Sequence, residues 1–276
     1  MKILYATDLH GSIPRYDAIL RTAMENGVDV LHIGADLLPK GQDIYYQQKK
    51  FITGYLKDFF KQCSYLDLPV LSFFGNDDLY ALKGHYKKYS TLLDETSFSK
   101  DGFEFKAYPY VQDYPFSLKT ACKLDHEGWA CPEEYLGPPV DYDEHGPIKI
   151  PDIKDHFLKK GTIENDLRKI SADKKTIMAI HQPPWGLDLD VCIGGKRVGS
   201  KAVYDWADIN QPLICLCGHI HESFYVTKVW KNKINNTTVI QPGQCPGEDR
   251  VRAVMIEVNG DGFISELLEF PTKGFR

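Results

Sequence analysis

The stretch KILYATDLHG, residues 2–11, decides how the rest of the chain is read. Ile3, Leu4, Tyr5 and Ala6 form an apolar run, partly β-branched and aromatic, and Gly11 closes it; this pattern predicts a buried strand. Asp8 and His10 fall just past the C-terminal end of that strand, and their i, i+2 spacing lets both side chains point the same way. Ligands of open α/β sheets bind outside the carboxyl ends of the strands. A carboxylate and an imidazole there are either a helix cap with an accidental neighbour or half of a metal site.

Working outward, Ser12 is placed to cap a helix with Pro14 in its first turn, running to about Asn26 and stopped by Gly27. Residues 29–35 (DVLHIGA) predict a second buried strand with Asp36 at its end. Asp43 is placed to cap a helix with an aromatic face (Tyr45, Phe51, Tyr55, Phe59), and residues 69–74 predict a third strand ending in Gly75-Asn76-Asp77-Asp78. The order βαβαβ implies a parallel sheet built from right-handed crossovers. Periodicity then fades. Residues 103–108 (FEFKAY) alternate like a strand, but a loop-rich insertion is expected over about 103–165, dense in Pro, Tyr, Asp and Gly and serving as a lid or as a surface elaboration. Residues 165–175 read as helical. Residues 176–180 predict a strand ending at His181, 200–210 a helix, and 212–217 a strand ending in Gly218-His219-Ile220-His221. Three β segments follow, at 237–240, 251–258 and 263–268. With no internal repeat or linker, one domain over residues 1–276 is expected.

Composition narrows the class. At 43% hydrophobic and 26% charged the chain is ordinary for a globular protein, and its net charge of −5 without a basic run argues against a general nucleic-acid or membrane-surface binder. No apolar stretch approaches the roughly 20 residues needed to span a bilayer. Met1 leads straight into strand residues without the regions of a signal peptide. The seven cysteines are odd in number and lack CxxC spacing, so neither a disulfide framework nor a structural zinc site is indicated. A reducing, cytoplasmic location is expected.

Asp8, His10, Asp36, Asn76, His181, His219 and His221 all fall at or just beyond strand ends. Singly, each has an ordinary structural explanation, but the C-terminal edge of a sheet is one contiguous place. These donors suit two divalent cations about 3.5–4 Å apart, provided one Asp serves both. The absence of thiolate favours manganese first, with iron or zinc as alternatives, and so many imidazoles disfavour pure magnesium.

DLH at 8–10, GAD at 34–36, GNDD at 75–78, His181 and GHIH at 218–221 resemble, in order and spacing, the blocks of the calcineurin-like metallophosphoesterase superfamily. The closing segment is similar to its small bacterial and archaeal predicted phosphoesterases. The resemblance implies a four-layer αββα sandwich, two mixed β-sheets flanked by helices. It further implies that Asp8, His10 and His221 hold one metal, that Asn76, His181 and His219 hold the other, and that Asp36 bridges them. A hydroxide between the metals would then attack phosphorus in line. The chain departs from the protein-phosphatase branch at two places. Asp77 stands where that branch has an acidic His, and Leu37-Leu38-Pro39 where it has the Arg that clamps phosphate. An Asp serves as acid only if its pKa is raised well above the usual value of about 4. Both departures point to phosphodiesters or small activated phosphoesters rather than phosphoproteins, with Asp36, Asn76 and Asp77 as the catalytic set.

A basic Gly-rich segment at 194–201 offers Lys196, Arg197 and Ser200 to a substrate phosphate, or is a solvated loop with Ser200 as an ordinary helix cap. Trp129 and Tyr135 are candidates to stack on a nucleobase, and His126 to reach the site from the insertion; His85, His145 and His156 read as bystanders. The expected partner is a small phosphorylated substrate, nucleotide-derived in one reading. A scaffold that kept the fold without catalysis and a nuclease are the competing readings.

Overall fold

Strand parity in the first stretch sets the layers. In the structure, a computed structural model that describes residues 1–260 and 262–273, β1 (Lys2–Ala6) is followed by α1 (Ile13–Glu25), β2 (Val30–Ile33), α2 (Ile44–Phe51), a π-helical turn (Ile52–Leu56), α3 (Lys57–Tyr65), β3 (Val70–Ser72) and α4 (Lys83–Tyr86). Next come β4 (Phe98–Lys100), β5 (Phe103–Tyr108), the short strands β6 (Val111–Gln112) and β7 (Cys122–Lys123), the hairpin β8 (Val140–Asp143) with β9 (Gly146–Lys149), α5 (Ile153–Lys160) and α6 (Ile163–Leu167). The chain closes through β10 (Thr176–Ile180), α7 (Lys201–Asn210), β11 (Ile214–Leu216), α8 (Ser223–Thr227), β12 (Lys231–Ile234), β13 (Thr237–Ile240), β14 (Arg250–Asn259) and β15 (Gly262–Pro271).

Two mixed sheets result. The first runs β15-β14-β1-β2-β3, with β1, β2 and β3 parallel and β14 antiparallel to β1. The second runs β12-β13-β11-β10-β5-β4, parallel at its centre with antiparallel edges. Ile3 and Tyr5 of β1 face Phe105, Ile177, Ile214 and Leu216 of the second sheet in one buried cluster. The alternate residues Leu4 and Ala6 turn the other way, onto Ile19, Ala23, Phe51 and Phe59 of the helices. Met178, Ile180 and Cys215 on the far side of the second sheet pack against Val203 and Trp206 of α7 and Leu167 of α6. The layers are therefore helix, sheet, sheet, helix, and each fully buried Leu or Ile contributes roughly 1.5–3 kcal/mol. Tyr5 ties the sheets by donating its hydroxyl to the Cys217 carbonyl at 2.9 Å.

Several elements differ from expectation. Asp43 does not cap through its side chain; its own backbone is left-handed, and the helix it precedes continues through the π turn to Tyr65. The helix expected at 165–175 lies earlier. Asp152 accepts from the Lys154 and Asp155 amides and starts α5, while Thr162 accepts from the Asn165 amide and starts α6. Residues 103–108 are not part of an insertion, because β5 pairs in register with β10 (Phe105 with Ile177) inside the second sheet. The irregular stretch occupies 109–150. Among the described residues no helix is long and apolar enough to cross a membrane, and all seven cysteines are free.

Candidate metal centre

Five loops, those after β1, β2, β3, β10 and β11, meet at the C-terminal ends of the parallel strands of the two sheets. Amide-to-carbonyl bonds from Asp8 to Ala35 (3.1 Å), His10 to Asp36 (2.9 Å) and Gly11 to Leu37 (2.9 Å) zip the loops after β1 and β2 together. The Gly218 amide donates to the His181 carbonyl (3.0 Å), and the His219 amide reaches across the sheets to Asp8 Oδ1 (3.1 Å). Asp8, His10, Asp36 and His219 all hold positive φ, from 45° to 70°, where a non-glycine residue is disfavoured by roughly 1 kcal/mol or more. Close approach explains the glycines that open the GNDD and GHIH motifs. A Cβ on Gly75 would lie 2.2 Å from Asp36 Oδ1, and one on Gly218 would lie 2.6 Å from Asp8 Oδ2.

Asp8, His10, Asp36 and His221 place one ligand atom each within 4.8 Å of one another. His10 Nε2 and His221 Nε2 are 3.0 Å apart, and Asp8 Oδ1 is 3.2 Å from His221 Nε2. On the other side His181 Nε2 lies 2.9 Å from Asn76 Oδ1 and 3.4 Å from Asp36 Oδ2. The His219 ring stands 5.1 Å from that of His181. Asp36 Oδ2 is also 3.9 Å from His10 Nε2, so it sits between the two groups of donors. The Nδ1 atoms of His10 and His181 are buried without a hydrogen-bond partner, leaving Nε2 as the atom each ring presents to the site. Imidazole nitrogens this close, beside two carboxylates that are almost fully buried, form a set of lone pairs that a cation holds together, and the O and N donors suit a hard or borderline divalent ion.

The protein's own charges prepare these donors. Burial pushes His10 and His219 down to about 3, so both rings are neutral and ligand-ready. Burial opposes the ionisation of Asp8 and Asp36 too, yet His221 beside Asp8 and His181 beside Asp36 hold both carboxylates below the usual range. Asp77 is pushed up to about 6 by burial and by the charge of Asp36, against the pull of Lys40. Asp78, up to about 7 from burial and Asp36, accepts from the amides of Gly75, Leu37 and Leu38 and so braces the loops rather than entering the site.

The family model for calcineurin-like phosphoesterases matches residues 1–223. The chain belongs to this family. A protein of Thermus thermophilus is similar in structure with a TM-score of 0.55 at 15% identity, covering 99% of both chains. A dimetal phosphatase from Danio rerio is similar with a TM-score of 0.54 at 12% identity, again over 99% of both. No curated protein sequence matches the chain significantly. As a family member it is a metal-dependent phosphoester hydrolase by class, with Asp8, His10, Asp36 and His221 as a ligand cluster.

A cavity of about 1010 Å³ opens over this phosphoesterase centre. Asp36, Asn76, Asp77, His219 and His221 form its floor, and Lys40 reaches in beside them with Nζ 2.5 Å from Asp77 Oδ2. Of the residues expected to meet substrate, Lys196 and Arg197 line the wall, but Arg197 is already paired with Asp188 and with Asp190 (3.0 Å). Ser200 is fully buried instead. Its hydroxyl caps α7 by accepting from the Val203 amide and donates to Asp125 at 2.5 Å. His126 is not in the lining; its Nδ1 lies 2.9 Å from the Glu127 carbonyl. Trp129 faces the cavity, whereas Tyr135 turns its ring onto Lys119 and its hydroxyl to Asp113. Lys40 and Tyr114 are among the lining residues that the sequence did not single out. Lys40 lies four residues past a motif Asp, and Tyr114 sits in a stretch without periodicity, so neither carried a local signal.

Proposed function

We propose that the chain hydrolyses small phosphodiesters, nucleotide-derived ones in particular, with two divalent cations held at the floor of the cavity. Asp8, His10 and His221 would hold one cation, Asn76, His181 and His219 the other, and Asp36 both. The observation that carries this reading is the place of Asp36 Oδ2, 3.9 Å from His10 Nε2 and 3.4 Å from His181 Nε2. When bound, two such cations supply a solvent nucleophile at neutral pH and neutralise charge on phosphoryl oxygens, manganese being the first candidate and iron or zinc the others. The remaining work falls to the chain. Lys40 presents the ammonium nearest the floor, but much of its charge is committed to Asp77. A diester, with a single charge, needs no more positive potential than this, while a dianionic monoester would. Asp77 acts in the reaction chiefly by holding Lys40 in place, since neighbouring cations lower its tendency to carry a proton. Trp129 and Phe116 offer a base an apolar wall, and Glu133, Glu134 and Glu222 at the same cavity oppose a long polyanion, which disfavours a nuclease. Free cysteines suit a cytoplasmic setting.

The test is hydrolysis of generic aryl mono- and diesters with manganese, alongside metal analysis. Diester turnover should exceed monoester turnover, with two metal ions per chain; a strong monoester preference overturns the substrate class, and a metal-independent rate overturns the whole reading.

A further inference from the structure

From the hydrogen-bond polarity around Asn76 we infer that Tyr114, from the irregular stretch at 109–150, is a positioning residue for the second metal site. The inference rests on the two-cation reading above. Asn76 can offer either end of its amide to the site, and only the oxygen binds a cation. The Leu118 carbonyl accepts only, so the Tyr114 hydroxyl 3.2 Å away donates its one proton there. What the hydroxyl has left for Asn76 is a lone pair, 3.1 Å from Nδ2. The Asn76 nitrogen is thereby drawn to Tyr114, and Oδ1 is left facing His181 Nε2. Asp77 Oδ1 accepts from the same Nδ2 at 3.1 Å, but that carboxylate is shared with the exposed Lys40, whereas the Tyr114 hydroxyl is itself anchored to the Leu118 carbonyl.

The fixing is built into the irregular stretch itself. Lys119, wholly buried, lies over the rings of Tyr114 (4.7 Å) and Tyr135 (4.6 Å), donates to the Tyr114 carbonyl and pairs with Asp113 at 2.9 Å. The Tyr114 ring also stands 5.8 Å from that of His219, a second donor of the same site. The irregular stretch is thus a structural wall of the metal centre, not only a cover over it.

Manganese titration of metal-free protein, reading free Mn(II) by its paramagnetic resonance, tests this without relying on turnover. Wild type should bind two ions. Tyr114→Phe removes the lone pair and keeps the ring, and should weaken one of the two sites about tenfold, as loss of an outer hydrogen-bond partner does. Tyr135→Phe cuts a hydrogen bond in the same Lys119 cluster without touching Asn76, and should titrate like wild type. Asn76→Asp has no amide to orient, so adding Tyr114→Phe to it should cost little further affinity. Two unchanged sites in Tyr114→Phe, equal losses in Tyr114→Phe and Tyr135→Phe, or an undiminished loss in the Asn76→Asp background would each overturn the inference. A wild type that binds a single ion would instead overturn the two-cation reading.

Discussion

Gly75 occupies a point where the backbone passes so close to Asp36 that no side chain fits, with the Asp36 amide as near as 2.7 Å to a built Cβ. Gly75→Ala should therefore displace Asp36, lowering diester turnover at least a hundredfold while far-UV circular dichroism stays native; wild-type turnover would contradict this account of the motif. Asp8→Asn removes a charge and an acceptor at the opposite side of the centre. It should reduce bound metal and activity and leave the fold intact, and full activity would refute the role of Asp8. A residue away from the centre contributes to acid stability alongside His10 and His219, which burial pushes down to the same extent. His32 lies buried between the sheets among Tyr5, Phe73 and Phe105, with neither ring nitrogen hydrogen-bonded, and burial pushes it down to about 3. The unfolded chain takes up this proton near pH 6.5 and the folded chain does not, so stability falls as pH drops below about 6.5. From pH 7 to pH 5 the loss from His32 is roughly 2 kcal/mol. His32→Leu in metal-free protein should flatten the melting-temperature slope over that range, and an unchanged slope would exclude the assignment. The motif residues were legible because strand ends carry a sequence signal. His32 was not, because inside an apolar run it looks like any other strand residue.

At the scale of elements, strands between apolar faces were readable and polar ones were not. β5 and β13 match their expected bounds, since both alternate or run apolar with clear turns beside them. β12, with the sequence KNKI on an edge, offers no such pattern and becomes a strand only by pairing with β13. The helix expected at 165–175 moved upstream because Asp152 and Thr162 cap two earlier segments, a local choice that outweighs the weak periodicity beyond Leu167. The joint between α7 and the irregular stretch is a capping unit of another kind. Asp125 accepts from the Ser200 hydroxyl and from the Lys201 and Ala202 amides, satisfying α7's first N–H groups from 75 residues away. Ser200→Ala should cost about 1 kcal/mol through the lost cap. Asp125→Ala should cost more, because it leaves both amides and the Ser200 hydroxyl without an acceptor. Denaturant melts of the two variants check the order, and substrate KM should stay near wild type in Ser200→Ala, since that residue lies outside the cavity.

For the molecule as a whole, the αββα order follows from which residues of each strand are apolar, and the metal centre lies where the two sheets come together. Asp8, His10 and Asp36 are delivered by the first sheet, and His181, His219 and His221 by the second. On the proposed ligand sets, a cation held by Asp8 and His221, or by Asp36 and His181, would be a clamp between layers rather than a surface decoration. Binding to the folded state alone stabilises it by RT ln(1 + [L]/Kd), about 2.7 kcal/mol for one site at a hundredfold excess over Kd. In a chain of this size each kcal/mol moves the melting temperature by about 2–4 °C. Chelation should thus lower the melting point by at least about 5 °C in a single shifted transition, because both sheets lose the clamp together. In Asp36→Asn, where the donor shared by both halves of the centre is weakened, the gap between metal-loaded and chelated melts should shrink to less than half that of wild type. Scanning calorimetry with and without chelator measures both, and a wild-type shift below about 1 °C would show that the sheets do not depend on the centre for their union.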